Sequence, residues 1–310
     1  MKISVAMAVY NGRKFLGQQL ESIKNQTVKI DEIVIIDDCS KEDSDDLIAD
    51  FANRITIDVK YIKHSVNWGY ANTFFEALDK TTGDYIFFSD QDDVWVENKV
   101  EKMIDVVKKS DKSILCLSSL NFIVNQDCEV LKREKQKDFL LKIEMDDLLR
   151  GKSLRPGMSL LVSSEIKDKI SSVKKDMFFA HDRFIEFVAC LNNGFYCLNE
   201  CLTKYRIHTS NTSGMNLTKT KLRSNRIGRI EQATKEINYF KALTTSGICL
   251  PDVVKLHIGK YENYFSRRKN MLTKGVLRYI FYLPLIIPYY SSTKVVFGDL
   301  MSLFMDRKFF

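Results

Sequence analysis

The sequence DYIFFSDQDDVW, residues 84–95, places an apolar run directly before a group of acidic residues. The run from Tyr85 to Phe88 has the length and composition of a buried β-strand. Asp90, Asp92 and Asp93 then follow within four residues, where like charges repel and raise one another's pKa. Many strands end in a polar turn, but three carboxylates exceed what a turn requires. We therefore expect a ligand or a cation at this strand end that offsets the repulsion.

The residues before this stretch alternate between apolar runs and segments with helical spacing. The apolar runs predict strands at Ile3–Val9, Glu32–Ile36, Ile55–Ile62 and Tyr85–Phe88. The helical segments lie around Phe15–Ile23, after Ser40, over Ala71–Leu78 and over Val96–Lys108. Ser40, with Asp43 three residues later, predicts an N-cap for the second helix. Strands that alternate with helices are typical of βαβ units, so the predicted fold class is α/β with a mainly parallel sheet.

The pattern is less regular beyond residue 110. Leu131–Lys142 is highly charged and has no clear period, which predicts an irregular or helical segment. Further strands are expected at Gly157–Val162 and Gly194–Leu198, with a helix over Asp182–Leu191 between them. Residues 219–275 predict basic helices, so we expect a helical extension at the C-terminal end.

The composition is that of a soluble globular protein, with 45% hydrophobic and 28% charged residues among 310. The net charge of +7 is concentrated in residues 219–278, which hold 14 Lys and Arg against 4 Asp and Glu. Seven scattered cysteines predict buried free thiols rather than disulfides or a zinc site, and they suit a reducing cytoplasm. The apolar run Ile3–Tyr10 is too short for a signal peptide, so we expect a cytoplasmic protein.

Residues 276–297, VLRYIFYLPLIIPYYSSTKVVF, are the most apolar part of the chain. Arg278, two prolines and a serine pair make this run a poor membrane-spanning helix. Its tyrosines and the adjacent basic segment favour a short helix on an anionic membrane surface, peripheral to the inner face of the plasma membrane. The alternative is a hairpin packed on the α/β domain or on a second subunit, which would give a homodimer.

Polar groups follow three of the predicted strands at their carboxyl ends: Tyr10-Asn11, Asp37-Asp38 and Asp90 to Asp93. Ligands of an open parallel sheet bind at this edge, so we expect the groups to converge on one site. Asp90 and Asp92 can face a common cation, and oxygen ligands suit Mg²⁺ or Mn²⁺. The sequence has neither a P-loop nor a dinucleotide glycine motif, so a nucleotide's phosphates would be bound through the metal.

Four blocks carry a family resemblance: VAMAVYNG, IVIIDDCS, NWGYANTFFEAL and DYIFFSDQDDVW. In this order and spacing they resemble the nucleotide-sugar half of glycosyltransferase family 2, whose members have the Rossmann-like glycosyltransferase A fold. RPGMSLLV, AHDRF and YRIHTSNTSG are similar to the acceptor half of bacterial members that build capsule, O-antigen or rhamnan chains. The resemblance implies a catalytic domain over 1–215, divided into halves 1–110 and 111–215, and an extension over 216–310.

The resemblance implies roles for residues at the donor. Tyr10 and Asp38 would hold the nucleobase, Asp38 through the imide N–H, with Asn11 and Asn72 beside the nucleotide sugar. Asp90, Asp92 or both would meet the ribose and the metal.

Asp93 remains an equal candidate for the direct metal ligand. Arg206 and His208 could contact the diphosphate as charge builds on the leaving group; their alternative role is to order a loop.

Inversion at the anomeric carbon needs a general base near the acceptor hydroxyl. Asp182 is the residue that the resemblance indicates, and His181 before it is an accessory candidate. A carboxylate that only complements the helix dipole is the alternative for Asp182.

The function implied is an inverting, metal-dependent glycosyltransferase. It would move a sugar from a dTDP- or UDP-sugar to a lipid-linked surface polysaccharide acceptor. The rhamnosyltransferase-like subset favours rhamnose, with a hexose, N-acetylhexosamine or galactofuranose as the alternatives. The alternative is a catalytically degenerate nucleotide-sugar-binding assembly protein at the membrane, against which the intact carboxylates argue. Nucleic-acid binding is not expected, because the basic helices carry no interleaved aromatic residues and no reader motif.

Overall fold

The computed structural model describes residues 1–150, 155–171, 180–208, 223–243, 250–274, 282–290 and 292–305. The chain divides into two compact units, Met1–Glu144 with Arg155–Thr212, and Met145–Leu154 with Ser213–Phe310. The first unit contains the sheet, and the described elements of the second are helices. The divisions at residues 110 and 215 stay predictions.

The first half of the sheet is parallel. It consists of β1 (Ile3–Val9), β2 (Glu32–Asp37), β3 (Asp58–Lys63) and β4 (Tyr85–Ser89), in the order β3-β2-β1-β4. The connecting helices are α1 (Arg13–Lys24), α2 (Asp45–Asn53) and α3 (Tyr70–Lys80). Every residue of β2 is buried, as expected where helices cover both faces of a sheet. The predicted α/β class, with a mostly parallel central sheet flanked by helices, is confirmed.

The second half of the sheet is mixed. Its strands are β5 (Val94–Trp95), β6 (Cys116–Val124), β7 (Val130–Arg133), β8 (Leu140–Lys142), β9 (Leu160–Ser163) and β10 (Phe195–Arg206). β9 lies antiparallel between β4 and β6, β10 runs parallel to β6, and β5, β7 and β8 add short antiparallel pairs. The helices are α4 (Lys99–Lys109), α6 (Glu165–Ser171) and α7 (His181–Leu191), with α5 (Met145–Leu149) in the second unit.

Three local predictions were wrong. Leu131–Lys142 contains most of β7 and all of β8. The residues of β7 are exposed and those of β8 are partly exposed, so neither short strand shows a hydrophobic period. The second helix begins at Asp45 after Ser44, while the Ser40 hydroxyl accepts a hydrogen bond from the Asn11 N–H at 2.9 Å. The third strand begins at Asp58 rather than three residues earlier.

The second unit also contains α8 (Arg223–Leu243), α9 (Asp252–Lys274) and α10 (Thr293–Met305). Asp299 of α10 is fully buried and accepts hydrogen bonds from Arg226 Nη1 at 2.8 Å and Arg268 Nε at 2.6 Å. The Tyr290 hydroxyl donates to the same carboxylate at 2.8 Å. Two guanidinium groups and a hydroxyl around one carboxylate therefore hold three helices of this unit together.

The apolar segment 276–297 lies partly outside the described residues, at 276–281 and 291. Tyr290, one of the tyrosines expected at a membrane surface, is instead buried, as is Ile286. Leu285 and Ile287 are about half exposed, at 56% and 50%. Within the part of the chain that the structure describes, no helix combines the length and the apolar character needed to cross a membrane.

Candidate active site

The carboxyl ends of β1, β2 and β4 lie at one edge of the sheet, because these neighbouring strands run parallel. Tyr10, Asp38 and Asp90 directly follow the three strands. The Asp38 N–H donates to Val9 O at 2.8 Å, which holds the end of β2 to the end of β1. The structure thus brings the three polar groups to the edge at which open parallel sheets bind ligands.

Gln91 attaches the acidic segment to the end of β1. Its Oε1 accepts a hydrogen bond from the Tyr10 N–H at 2.7 Å, and its Nε2 donates to Tyr10 O at 2.9 Å. Gly12 leaves the space for this side chain, since a Cβ there would lie 1.9 Å from Gln91 Oε1. The amide between Asp90 and Asp92 therefore positions both carboxylates, a role that the sequence did not indicate.

Asp92 and His208 meet although they are far apart in the chain. His208 Nε2 lies 2.7 Å from Asp92 Oδ2, and both side chains are mostly buried, at 9% and 15% exposed. The imidazole packs against Phe15, with ring centroids 4.9 Å apart. A carboxylate oxygen and an imidazole nitrogen at this distance can serve as donors to one divalent cation.

Asp93 is fully buried. Its Oδ1 accepts a hydrogen bond from the Arg206 N–H at 2.9 Å, and its Oδ2 has no hydrogen-bond partner among the described residues. Burial, followed by the charges of Asp92 and Asp90, raises the pKa of Asp93 well above its usual range. Of the two candidates for the direct metal ligand, Asp92 is thus the more accessible.

Arg206 is 2% exposed, and its guanidinium group is engaged within the protein. Nε donates to Asp92 O at 2.7 Å, Nη2 donates to Gln18 Oε1 at 2.5 Å, and Nη1 donates to Gln126 O. The group also lies over the Phe15 ring, 4.6 Å from its centroid. Arg206 therefore joins β10 to the acidic segment, to α1 and to the turn after β6. Its expected contact with the diphosphate stays a prediction.

Lys99, at the start of α4, is a buried cation that the sequence did not indicate. Its Nζ donates to Met158 O at 2.6 Å and to Thr203 Oγ1 at 2.9 Å. The ammonium group also lies 4.1 Å from the centroid of the Trp95 ring. These contacts fix the lysine between the turn before β9 and strand β10.

The protein balances the acidic cluster only in part. Burial, followed by the charges of Asp92 and Asp182, raises the pKa of Asp90 to about 8, and Lys99 opposes this rise. Burial lowers the pKa of Lys99 to about 7, against the pull of nearby carboxylates. The raised pKa values of Asp90 and Asp93 show that Lys99, together with the Arg206 guanidinium group beside Asp92, does not fully offset the carboxylates. The repulsion noted in residues 84–95 thus calls for a further positive charge.

The metal-coordinating side chains fit a hard divalent cation whose remaining coordination positions are filled by water and by the phosphates of the substrate. Among the described residues, no three His, Cys, Asp or Glu side chains are grouped so that they could hold a metal by themselves. Mg²⁺ keeps several waters and binds one or two carboxylates together with substrate phosphates, so it does not require such a group. Asp92 with His208, and Asp90 beside them, fit that kind of shared coordination.

Asp37 and Asp38 differ in what their carboxylates contact. Asp38 is 2% exposed, and its Oδ1 and Oδ2 accept the N–H groups of Trp68 at 2.7 Å and of Gly69 at 2.8 Å. Asp37 is fully buried, and its Oδ1 accepts the Ser40 N–H at 2.7 Å. Asp37 Oδ2 has no hydrogen-bond partner within the described ranges. Both oxygens of Asp38 are thus engaged within the protein, and its expected contact with the nucleobase stays a prediction.

The other residues expected at the donor lie around the same edge. Tyr10 is 45% exposed. Asn11 has a left-handed φ of 50°, and its Oδ1 accepts the Lys41 N–H at 2.8 Å. Asn72 Nδ2 donates to Trp68 O at 2.9 Å. Tyr10 presents a ring to solvent, whereas Asn11 and Asn72 hold the loops that surround it.

Helix α7 begins with the predicted base and its neighbour. Asp182 is partly exposed, and its charge contributes to the raised pKa of Asp90. Asp182 Oδ1 accepts the Arg183 N–H at 2.8 Å. His181 is 4% exposed and stacks on Phe74, with centroids 4.0 Å apart. Burial lowers the pKa of His181 to about 4, which keeps the ring neutral near pH 7.

Sequence comparisons place much of this unit in a known family. Residues 4–155, just under half of the chain, match the model "Glycosyl transferase family 2". An uncharacterized glycosyltransferase of Rickettsia prowazekii (strain Madrid E) is 25% identical over 213 residues, which are 68% of this chain and 65% of that protein. A protein of Bacillus subtilis (strain 168) named as a teichuronic acid biosynthesis glycosyltransferase, TuaG, is 24% identical over 215 residues, 68% of this chain and 81% of that protein. The chain thus spans about two thirds of the length of the Rickettsia relative.

Solved structures share the fold. S. aureus TarS 1-349 in complex with UDP has a TM-score of 0.58 and 15% identity, covering 87% of this chain and 72% of that chain. The mannosyltransferase PcManGT from Pyrobaculum calidifontis, in complex with GDP-Man and Mn²⁺, has a TM-score of 0.57 and 13% identity, covering 97% of this chain and 85% of that chain. Identities this low show the fold alone. Residues 4–155 therefore match the model of glycosyltransferase family 2, and the chain shares its α/β fold with TarS and PcManGT.

Proposed function

We propose that this protein is an inverting glycosyltransferase that uses a divalent cation and a dTDP- or UDP-sugar, with rhamnose favoured as the sugar. The observation that carries the proposal is the 2.7 Å contact between Asp92 and His208 at the strand ends, next to Asp90, whose pKa the charges of Asp92 and Asp182 help to raise. A cation-binding group and a separate carboxylate in one site are the two components that direct displacement of a nucleoside diphosphate requires.

Asp92 and His208 would hold the cation, with Asp90 beside them and Asp93 as a buried support. The mixed carboxylate and imidazole donors favour Mn²⁺ over Mg²⁺, since imidazole is a softer ligand than oxygen. When bound, such a cation neutralises the charge that builds on the leaving diphosphate.

Asp182 accepts the proton of the acceptor hydroxyl as its oxygen bonds to the anomeric carbon. The bond from that carbon to the diphosphate oxygen breaks on the opposite face, so the configuration inverts. His181 is neutral and stacked on Phe74. In this proposal it packs beside the base and does not accept the proton itself.

The nucleobase would lie between Tyr10 and the end of β2. Asp37 Oδ2 is a buried acceptor that has no hydrogen-bond partner among the described residues, and the imide N–H of uracil or thymine would satisfy it. Asp38 then acts indirectly by holding the backbone of Trp68 and Gly69.

The acceptor in this proposal is a lipid-linked surface polysaccharide. The relative TuaG is named for teichuronic acid biosynthesis, and TarS has been crystallised with UDP and with UDP-GlcNAc. Rhamnose rests on the sequence resemblance. The basic segment 219–278 and the exposed Leu285 and Ile287 support attachment to the inner face of the plasma membrane.

The proposal is tested by incubating the purified protein and Mn²⁺ with a panel of UDP- and dTDP-sugars, with and without a lipid-linked acceptor. We expect release of nucleoside diphosphate with at least one donor, loss of release in excess chelator, and recovery when Mn²⁺ is restored. Asp92→Asn should lower turnover by about 10²-fold or more without loss of folding, whereas Asp111→Asn, at an exposed carboxylate, should not.

Turnover that persists in excess chelator would show a metal-independent enzyme. No release with any nucleotide sugar would reject the transferase and leave a binding protein.

A further inference from the structure

His64 follows β3 directly and lies between two carboxylates. Its Nδ1 is 3.0 Å from Asp38 Oδ1, and its Nε2 is 2.7 Å from Glu76 Oε2. The His64 side chain is 6% exposed, and those of Asp38 and Glu76 are 4% and 21% exposed. The imidazole therefore bridges the end of β2 and helix α3 in a largely buried setting.

This geometry requires both ring nitrogens of His64 to carry protons. Ionised carboxylates only accept hydrogen bonds, and a neutral imidazole donates from one nitrogen only. A neutral ring would turn the lone pair of its other nitrogen toward a carboxylate oxygen. The bridge between Asp38 and Glu76 is thus complete only when His64 is an imidazolium.

The bridge extends into the loop 65–69 through Asp38. The two Asp38 oxygens accept the N–H groups of Trp68 and Gly69, and Asp38 O accepts Asn67 Nδ2 at 3.1 Å. The Trp68 ring packs against His64 itself, with centroids 4.4 Å apart and the ring planes tilted by 30°. Gly69 has a left-handed φ of 81°, which lets the chain turn from this loop into α3. His64 therefore touches both the carboxylate that holds the loop and the aromatic ring that the loop carries.

We propose that His64 is a positioning residue for the nucleotide sugar: as an imidazolium it holds the loop 65–69 in place beside the nucleobase end of the site. The inference rests on the proposed function, because that function places the nucleobase next to Asp37 and Asp38. His64 does not touch the reacting atoms, so its effect falls on donor binding.

The direction of the pH dependence follows from the groups that face His64. Asp38 faces it from the end of β2 and Glu76 from α3, where Lys80 Nζ lies 3.5 Å from the other Glu76 oxygen. Burial alone would lower the pKa of His64, but the hydrogen bonds to Asp38 and Glu76 outweigh it and raise the pKa above its usual value. The bridge is present at lower pH and is lost as the pH rises through this raised pKa. The loop therefore loosens, and donor affinity falls, as the pH rises.

The loop can be followed without any nucleotide by tryptophan fluorescence. The chain has two tryptophans, and Trp95 is buried in the core, so the signal that disappears in Trp68→Phe is assigned to Trp68. Protonated imidazole quenches a stacked indole, so we expect the Trp68 signal to rise with pH, with a midpoint above about 6.5. Glu76→Gln removes one carboxylate and should shift this midpoint to lower pH, and His64→Gln should abolish it.

Donor binding is measured by calorimetry with UDP and Mn²⁺ at about pH 6 and about pH 8.5, in the wild type and in His64→Gln. We expect the ratio of wild-type to variant affinity to be about tenfold at the lower pH and near one at the higher pH. Because the comparison is a ratio at each pH, titration of UDP or of other site residues cancels.

The outcomes separate the two proposals. Equal UDP affinity of wild type and His64→Gln at both pH values overturns the role of His64 and leaves the proposed function intact. Absence of UDP and dTDP binding by the wild type at any pH rejects the proposed function. A Trp68 signal that ignores pH, or a midpoint unmoved in Glu76→Gln, overturns the imidazolium bridge on its own, even if His64→Gln fails to fold.

Discussion

A substitution at Asp182 should affect the rate of sugar transfer without affecting the affinity for the nucleotide. The proposed donor contacts come from the strand ends, whereas Asp182 lies on α7 and is proposed to act only on the acceptor hydroxyl. Asp182→Asn keeps the size of the side chain and removes its basicity. We therefore expect nearly normal UDP affinity in calorimetry, with transfer lowered by about 10² to 10⁴-fold. A variant that kept most of its transfer activity would place the base elsewhere.

The absence of a side chain at Gly12 leaves the space that the Gln91 side chain occupies. Gly12 has an ordinary φ of −107°, so an alanine there is opposed by the Gln91 side chain and not by backbone strain. Gly12→Ala should lower the free energy of unfolding by about 1 to 3 kcal/mol, because Gln91 must leave its two hydrogen bonds with Tyr10.

The matched control for this pair is the Gln91→Ala background, in which the obstacle is gone. There we expect Gly12→Ala to cost less than about 0.5 kcal/mol in urea unfolding. Equal costs in both backgrounds would mean that Gln91 is not what excludes a side chain at residue 12.

At the scale of the elements, Glu32 stabilises the sheet from the end of β2 that is remote from the site. Its side chain is fully buried, and Lys60 Nζ of β3 lies 2.6 Å from Oε1. Burial opposes the charged form, but hydrogen bonds from Lys60, Ser4 and Thr82 outweigh it and lower the pKa of Glu32 from 4.5 to about 2. The carboxylate thus joins β1, β3 and the turn before β4.

A lowered pKa means that this stabilisation is present above pH 4.5 and is lost as the pH falls toward 2. Glu32→Gln should lower the free energy of unfolding by about 2 to 3 kcal/mol at pH 7, while turnover per folded molecule stays unchanged. In urea unfolding followed against pH, the difference from the wild type should shrink below pH 4.5. A difference that is independent of pH would exclude the charge of Glu32 as its cause.

How far the sequence predicts these elements depends on what each residue contacts. β4 and the acidic residues after it follow from a local pattern, since a buried strand needs an apolar run. The burial of Lys99 does not follow from a local pattern. A lysine at this position of a helix looks the same in the sequence whether its side chain faces solvent or donates to Met158 O. Asp37 and Asp38 are identical in chemistry and adjacent in sequence. Only tertiary hydrogen bonds to Trp68 and Gly69 distinguish the engaged carboxylate from the one with a remaining oxygen.

At the scale of the whole molecule, the second unit has an interior of its own. Asp299 with its two arginines and Tyr290 lies inside it, as does Ile286. The segment predicted to lie on a membrane is therefore partly used for packing, which the apolar composition alone did not reveal. At the C-terminal end of this unit, four large apolar side chains are exposed to solvent. They are Leu285, Ile287, Phe297 and Met301, at 56%, 50%, 63% and 38%.

In the proposed membrane attachment, the basic residues contribute an electrostatic part of the binding free energy and the exposed apolar side chains contribute an apolar part. Salt affects these two parts differently. Each Lys or Arg near an anionic leaflet contributes about 1 kcal/mol, which salt screens, whereas burial of apolar side chains is not screened. We expect the protein to float with phosphatidylserine vesicles at low salt and to float less, but still measurably, at high salt. Leu285→Ser, Ile287→Ser and Phe297→Ser together should remove the salt-resistant part. Val253→Ser with Leu256→Ser, at equally exposed positions of α9, should leave it. A wild-type protein that fails to float even at low salt would assign these side chains to contact with another subunit instead.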